Sequence, residues 1–175
     1  MRNRIGIAAA IAFVGTVWLA NWLLNRYGVV DIGFGLQAPA GVFAVGLAFT
    51  LRDIVHRTLG RGPVIACILV GCALSYLIEA GGTIPGGLIA IHAASAAAFL
   101  LSETADLAVY TPLEQRSFLG AIAASNTVGA VVDSALFLWL AFGSLAFMEG
   151  QVVGKFYMTA LALPVVFASR KALPA

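Results

Sequence analysis

The sequence predicts an all-α integral membrane protein, a bundle of six transmembrane helices with both termini in the cytoplasm. Composition, the spacing of apolar runs and the placement of Arg and Lys lead to this fold class. Of the 175 residues, 61% are hydrophobic, and the charged side chains are only 10 Lys and Arg and 8 Asp and Glu. The mean hydropathy is +0.98. Because an average soluble domain has about 45–50% apolar and about 25% charged residues, this chain has too little polar surface for a water-soluble globule.

Six apolar stretches are each long enough to form one helical span, for which about 20 residues suffice. The predicted spans are residues 5–25, 32–51, 62–78, 80–102, 117–148 and 150–169. The separators are short, at residues 26–31, 52–61, 81–87, 103–116 and 143–150. None of them is long enough to divide the chain, so residues 1–175 are predicted to form a single domain.

The placement of Arg and Lys tests this count independently, because cytoplasmic loops hold the excess of positive charge. Six spans put eight cations on one side of the membrane: Arg2, Arg4, Arg52, Arg57, Arg61, Arg116, Arg170 and Lys171. The other side has only Arg26, and Lys155 lies inside a span. Since one helix more or fewer would destroy this imbalance, both termini are predicted to be cytoplasmic.

The first helix resembles a secretory signal but is longer, and Trp18, Trp22 and Tyr27 form an interfacial aromatic belt in place of a cleavage site. We therefore expect it to be retained. Asn21 and Asn25 are one turn apart beside the two Trp residues. This arrangement suits the stacking of a flat heterocycle, and the alternative is an interface belt with polar residues at a helix end.

Asp133 lies near the middle of the fifth apolar stretch, where an ionised side chain costs about 2.5–3.5 kcal/mol on insertion scales. Asn126 is seven residues earlier and about 20° away around a helix, so both should project from one face. The pair is either a hydrogen-bonded clamp between helices or a contact to a substrate or a coupling ion. Lys155 either snorkels to the outer interface or turns inward as the partner of Asp133.

Polar residues also follow the second apolar run. Asp53 and Arg57 are four residues apart and are therefore able to pair on a helix. Such residues often do no more than anchor a helix at the cytoplasmic interface. Because an anchor needs no acid, Asp53 is a candidate functional residue.

A polar stripe is predicted on the fourth helix if that helix continues past its apolar run. The stripe comprises His92, Glu103, Asp106 and Tyr110. We interpret His92 as a packing histidine. Glu103 and Asp106 either cap helices and balance Arg52 and Arg116, or they belong to a polar site.

Motifs of soluble enzymes are missing, since the chain has no GxSxG, no HExxH and no P-loop. His56 and His92 are too far apart in sequence to indicate a metal pair. Cys67 and Cys72 would point to different sides of a helix and are assigned to packing. The net charge of +2 comes from scattered Arg residues, which argues against nucleic-acid binding. The sequence thus predicts no catalytic residue, no metal and no cofactor.

Three segments carry a resemblance to a known family: residues 39–60, 102–117 and 123–143. The most specific part is an SN pair followed by VxD and an aromatic ending, namely Ser125, Asn126, Val131, Asp133, Phe137, Ala141 and Phe142. The chain resembles the VUT family of vitamin uptake transporters, whose members are assigned as transporters of queuosine precursors, the 7-deazaguanine bases. The similarity runs along nearly the whole chain.

The resemblance implies a compact six-helix carrier in the bacterial cytoplasmic (inner) membrane that imports 7-cyano-7-deazaguanine or a related base. Its layout is similar to the substrate-binding subunits of energy-coupling-factor vitamin transporters. The substrate-binding residues that the resemblance implies are Asn21, Asp53, Glu103, Asp106, Asn126, Asp133 and Lys155. Protonation of an acid in this site could couple uptake to a proton gradient.

Two other functions are compatible with the sequence. The chain could be a substrate-capture subunit that needs a separate ATPase-driven coupling complex. It could also be a non-transporting membrane scaffold, for which Ala8 and Ala12 supply a small-residue helix face. The expected partners are the lipid bilayer and a purine-like small molecule, with a homo-oligomer or coupling subunits left open.

Overall fold

The structure is a computed structural model that describes residues 2–80 and 86–170. The described residues form six helices and one two-stranded hairpin, and the helices match the six predicted apolar runs in order. In chain order the elements are α1 (Arg2–Tyr27), β1 (Val29–Gly33), β2 (Leu36–Pro39), α2 (Val42–Leu59), α3 (Arg61–Ala80), α4 (Gly86–Leu113), α5 (Phe118–Phe142) and α6 (Met148–Arg170). Most of the predicted 81–87 turn, Lys171 and the side chains of His92 and Cys72 lie outside the described part.

The hairpin corrects the all-α prediction and the start of the second helix. Residues 32–39 are not helical, because the turn between the strands has left-handed backbone at three consecutive residues, with φ values of 95° at Gly33, 56° at Phe34 and 73° at Gly35. A right-handed helix excludes such conformations. Asp31 stabilises the turn, since its Oδ1 accepts a hydrogen bond of 2.6 Å from the Gly33 N–H. The strands pair antiparallel, and α2 begins only at Val42.

Two helices extend further than their apolar runs. The predicted separator at residues 52–61 is helical up to Leu59, where Gly60 ends α2 with a φ of 91° and α3 follows at once. The predicted separator at 103–116 is helical up to Leu113. Both continue because their charged residues pack inside the bundle. Arg52, expected in a cytoplasmic connection, is in fact completely buried.

Glycines allow the closest approaches between elements. A Cβ on Gly129 of α5 would lie 2.9 Å from a carboxylate oxygen of Asp106 in α4, and a Cβ on Gly46 of α2 would lie 2.8 Å from the backbone oxygen of Lys155 in α6. A Cβ on Gly150 would collide with the backbone of Gln37, so the hairpin sits directly against the start of α6. The glycines thus bring buried polar residues of neighbouring helices together.

Two helices in the described part, Asn3–Tyr27 and Gly120–Phe142, are long and apolar enough to cross a membrane by length and composition. Large apolar side chains also face outward: Ile11, Leu77, Trp139 and Leu161 are each more than half exposed. An outer surface of this kind suits contact with lipid. Six spans and two cytoplasmic termini remain a prediction.

Candidate functional site

Two buried charged clusters lie inside the helix bundle. We call Arg52, Asp53, Glu103 and Asp106 the arginine cluster; it joins α2 to α4. We call Lys155, Asp133, Ser134 and Ser102 the lysine cluster; it joins α6 and α5 to α4. Together the two clusters contain five of the seven residues that the sequence nominated.

The guanidinium of Arg52 organises the arginine cluster. Its Nη2 lies 2.7 Å from Oδ1 of Asp53 and also contacts Oδ1 of Asp106, while its Nε lies 3.6 Å from Oε2 of Glu103. All four side chains are completely buried. Asp53 therefore pairs with Arg52 rather than with Arg57, whose guanidinium instead lies 4.0 Å from the ring centre of Phe118.

Aromatic and titratable residues connect the arginine cluster to the end of α4. The guanidinium carbon of Arg52 is 5.3 Å from the ring centre of Tyr110, and the Tyr110 ring packs edge-on against His56 at 4.8 Å. Nδ1 of His56 lies 3.3 Å from Oε2 of Glu114, whose side chain is 30% exposed. Glu114 follows the end of α4, and its partial burial raises the pKa of its carboxyl group while Arg57 opposes this shift. A line of polar groups thus runs from the buried cluster to the surface.

The lysine cluster is a balanced ion pair. Nζ of Lys155 donates hydrogen bonds to Oδ2 of Asp133 at 2.7 Å, to Oγ of Ser134 at 2.6 Å and to the carbonyl oxygen of Ala130 at 3.3 Å. These three acceptors match the three N–H groups of an ammonium. The second oxygen of Asp133, Oδ1, accepts a 3.4 Å hydrogen bond from the hydroxyl of Ser102. Lys155 therefore turns inward, which was one of the two interpretations left open by the sequence.

A pocket lies beside the lysine cluster, between α1, α2, α4, α5 and α6. It encloses about 510 Å³ of space between atoms, part of it open to the outside, but only about 30 Å³ can hold the centre of a water molecule. Its polar and aromatic lining consists of Thr16, Asn21, Ser95, Phe99, Asp133, Phe137 and Gln151. The pocket combines apolar walls with a few convergent polar groups, as binding sites for small molecules do.

The seven predicted site residues fall into three groups. Asn21 and Asp133 line the pocket, with Lys155 directly behind Asp133. Asp53, Glu103 and Asp106 belong to the arginine cluster and not to the pocket wall. Asn126 is 1% exposed, and within the described part of the chain its side-chain amide has no hydrogen-bond partner.

Sequence reasoning missed several residues of both regions. Arg52 was assigned to a cytoplasmic loop, although its position directly before Asp53 was a signal for an ion pair. Gln151, three residues into α6, carried no signal, because polar residues near helix ends are common. Ser95 carried none because a single Ser is common within a membrane helix. Trp18 and Trp22, the pair expected to stack a flat heterocycle, are 40% and 42% exposed and do not line the pocket, whereas Phe99 and Phe137 do.

A comparison with models of protein families shows the family to which the chain belongs. The family model described as "Putative vitamin uptake transporter" matches residues 39–169, well over half of the chain. The chain belongs to this family. No curated protein and no solved structure matches the chain. The matched range starts at the end of the hairpin and includes both clusters, whereas Asn21 in α1 lies outside it. The family is one of membrane transporters for small molecules and not a family of enzymes.

Proposed function

We propose that the protein imports a queuosine precursor, 7-cyano-7-deazaguanine or a related 7-deazaguanine base, across the bacterial cytoplasmic membrane. The observation that carries the proposal is the pocket in which the carboxylate of Asp133 meets side-chain amides and two Phe rings. A flat heterocycle fits such a site, since Phe99 and Phe137 offer apolar surfaces for its faces. The six-span topology with both termini inside the cell is part of the same proposal.

Asp133 is the proposed contact to the N–H groups of a guanine-type edge. Lys155 holds Oδ2 of this carboxylate, and the weaker 3.4 Å bond from Ser102 leaves Oδ1 as the oxygen that can accept from a substrate. A charged acceptor forms stronger hydrogen bonds than a neutral one, which favours a ligand rich in donors. The carbonyl of the base would then face the amide of Gln151 or Asn21, which line the pocket, whereas Asn126 does not.

The narrowness of the pocket supports alternating access. The cavity volume of about 30 Å³ is too small for a purine-like base. The pocket must therefore widen before such a base can enter. The pocket is bounded by Leu24 near the end of α1 and by Val42 at the start of α2, and the hairpin connects these two helices. We therefore expect the end of α1 and the start of α2 to separate when the base enters.

Uptake into cells tests the proposal. Labelled 7-cyano-7-deazaguanine is offered to a bacterium that cannot synthesise it, with the parent, with Asp133→Asn and with Asp31→Asn. The Asp31 variant is the matched control, because it removes an exposed carboxylate in the hairpin and keeps the oxygen that accepts from Gly33. We expect rescue by the parent and the control, and a loss of about 10- to 100-fold for Asp133→Asn at equal membrane abundance. Equal uptake by all three would refute the site.

Proton coupling is the second part of the proposal. Purified protein in liposomes should accumulate the base when the pH gradient is directed inward and only equilibrate it when the gradient is absent. Accumulation that is independent of the pH gradient would contradict proton coupling. Binding without any transport would identify a capture subunit that needs an ATPase-driven complex, and neither binding nor transport would identify a scaffold.

A further inference from the structure

We infer that the arginine cluster is the proton-binding site of this transporter, separate from the substrate pocket, and that Tyr110, His56 and Glu114 connect it to the cytoplasmic end of the bundle. The inference deepens the proposed function and rests on it for the direction of transport. The binding of a proton is inferred from the charges and contacts of the cluster and does not depend on the identity of the substrate.

The charge balance of the cluster is the first argument. One guanidinium faces three carboxylates, and all four side chains have no exposed surface. If every carboxyl were ionised, the cluster would bury a net charge of about −2, from three acids and one base. An isolated buried carboxylate is so costly that it takes up a proton instead. The cluster must therefore hold a compensating cation.

Unpaired oxygens give the compensating cation a place to bind. Oδ2 of Asp53 and Oε1 of Glu103 have no hydrogen-bond partner among the residues that the structure describes. A protonated carboxyl has an O–H group that can donate a hydrogen bond to a neighbouring carboxylate, which a carboxylate cannot do. One proton on either acid would thus remove a charge and supply the missing donor.

The geometry favours a proton over a metal cation. In the described part of the chain, no three or more His, Cys, Asp or Glu side chains are placed to share a metal ion. The carboxylates of the cluster instead surround the fixed guanidinium of Arg52, which occupies the point where they converge. A small cation that needs several oxygens around it has no room there, whereas a proton needs only one oxygen.

Tyr110 is the independent observation that points to a route. Its side chain is fully buried, and its hydroxyl has no hydrogen-bond partner within the described residues. Its ring lies 5.3 Å from the guanidinium carbon of Arg52 in the cluster and packs edge-on against His56 at 4.8 Å. Beyond it, His56 contacts Glu114, which is partly exposed. Tyr110, His56 and Glu114 thus lie in succession between the cluster and the surface, joined by a ring contact and a 3.3 Å charge contact, and each carries a group that can accept or donate a proton.

The arginine cluster and the pocket are linked through α4. Ser102, which donates to Asp133 at the pocket, directly precedes Glu103 in α4, so the backbone links the cluster to the carboxylate of the pocket. Along α4 the pocket residue Phe99 and the cluster residue Asp106 are seven residues apart, which is roughly 10 Å at 1.5 Å per residue. A change of charge at Glu103 therefore acts on the carboxylate that we propose as the substrate contact.

The other charged groups around the cluster are few. Those that the structure describes near it are His56 and Arg57 of α2, Arg61 of α3, Tyr110 and Glu114 of α4, and Asp133 of α5. Lys155 of α6 is engaged by Asp133. Of the remaining arginines, Arg57 has its guanidinium 4.0 Å from the ring centre of Phe118, so it is directed to that ring rather than to the three acids.

In the proton step, the bond that forms and later breaks on the cluster is a single O–H bond. A carboxylate oxygen of Asp53 or Glu103 takes H⁺ from water that enters with the substrate from outside, and an O–H bond forms. On the inward-facing side the same O–H bond breaks, and the proton returns to water by way of Tyr110, His56 and Glu114. One H⁺ per cycle moves in the same direction as one molecule of base.

Infrared spectroscopy of the purified full-length protein tests the proton without any substrate. The parent should show the C=O band of a protonated carboxyl group at neutral pH. The band should weaken or shift in Glu103→Gln and in Asp53→Asn, and stay unchanged in Asp133→Asn and in the exposed control Asp31→Asn. A parent without the band, or a band that no cluster variant alters, would overturn the inference.

Transport in liposomes tests the role of the proton. For Glu103→Gln, accumulation driven by the pH gradient should fall by about tenfold or more, a common size for coupling between two sites. Exchange of labelled for unlabelled base at equal concentrations needs no net proton movement and should stay within about twofold of the parent. Asp133→Asn should lose both activities. Loss of exchange and accumulation together in Glu103→Gln would instead make Glu103 a substrate contact.

The two experiments separate the two proposals. If the parent moves no deazaguanine base, the proposed function fails, and the infrared band alone decides whether the cluster holds a proton. If the parent moves the base and the band is absent, only the proton site fails.

Discussion

The arginine cluster and the lysine cluster both bury a cation between helices, but they differ in charge balance and in access. Lys155 meets one carboxylate and fills its three donor positions, whereas Arg52 meets three carboxylates and leaves its Nη1 without a partner among the described residues. Asp133 lies on the pocket wall, while the acids of the arginine cluster do not. A balanced pair at a pocket suits a fixed recognition element. An unbalanced cluster suits a group that binds and releases protons.

The largest effect is expected from removing the only cation of the arginine cluster. Arg52→Met would leave three buried acids without a partner, and breaking a buried pair in this way costs about 3–5 kcal/mol. We expect a sharp fall in the free energy of unfolding, measured by denaturation in mild detergent. The loss should shrink as the pH falls, because protonated carboxyls no longer need the guanidinium.

Arg116→Ala is the matched control for Arg52→Met. Arg116 is exposed, so its removal should change the free energy of unfolding by no more than about 0.5 kcal/mol. If Arg52→Met were as stable as this control at neutral pH, the three acids would already be neutral in the parent. The arginine cluster would then hold more than one proton.

The balance of the lysine cluster predicts strong coupling between its two charges. Lys155→Met leaves Asp133 unpaired, and Asp133→Asn leaves Lys155 unpaired, so each single variant should be clearly destabilised. The double variant should recover part of this loss, with a coupling energy of about 0.5–3 kcal/mol in a double-mutant cycle. Additive effects would show that the 2.7 Å pair contributes nothing beyond packing, and the contrast with the arginine cluster would disappear.

The same contrast shows what the sequence could predict. Asp133 and Lys155 could be identified as a possible ion pair because each is a single charge in an apolar run. Few other residues in the spans could pair with such a charge. Arg52 was misplaced because it stands among Asp53, His56 and Arg57, a pattern that also describes a membrane anchor. Only the folded bundle, in which Arg52 reaches the carboxylates of Glu103 and Asp106 on α4, reveals that this turn of the helix is buried.

The helix boundaries failed for a related reason. Apolar runs locate helices well, as the start of α5 after its N-cap Ser117 illustrates. They fail where polar residues are buried, so α2 and α4 extend beyond the predicted ends. They also fail at residues 32–39, where an apolar run forms a hairpin because Gly33 and Gly35 favour a tight turn.

Close packing around Asp106 gives a third test of the arginine cluster. Gly129→Ala would place a Cβ 2.9 Å from a carboxylate oxygen of Asp106, and overpacking of this kind costs about 1–3 kcal/mol. Gly15→Ala is the control, since nothing lies within 4 Å of a Cβ there. We expect lower stability for the first variant only, measured by denaturation in detergent. Equal stability would mean that α4 and α5 can separate at the cluster without loss.

The smallest effect is expected at Glu114, the exposed end of the proposed proton route. Burial raises the pKa of this carboxyl above its ordinary value of 4.5, against the opposing charge of Arg57. A raised pKa favours the protonated form in the folded state. Its contribution to stability is therefore fully present below the unfolded-state pKa and is lost as the pH rises through the folded-state pKa. Because the side chain is 30% exposed, the effect should stay below about 1 kcal/mol.

Glu114→Gln should abolish this pH dependence of stability. Glu149→Gln, at the exposed start of α6, should preserve it. The measurement is the unfolding midpoint of the parent and both variants from acid to neutral pH. The parent should lose stability relative to Glu114→Gln as the pH rises. A change of the opposite sign would show that the pairing of Glu114 with His56 and Arg57 outweighs its burial. The surface end of the route would then favour the ionised carboxylate and resemble the balanced lysine cluster more than the proton-loaded arginine cluster.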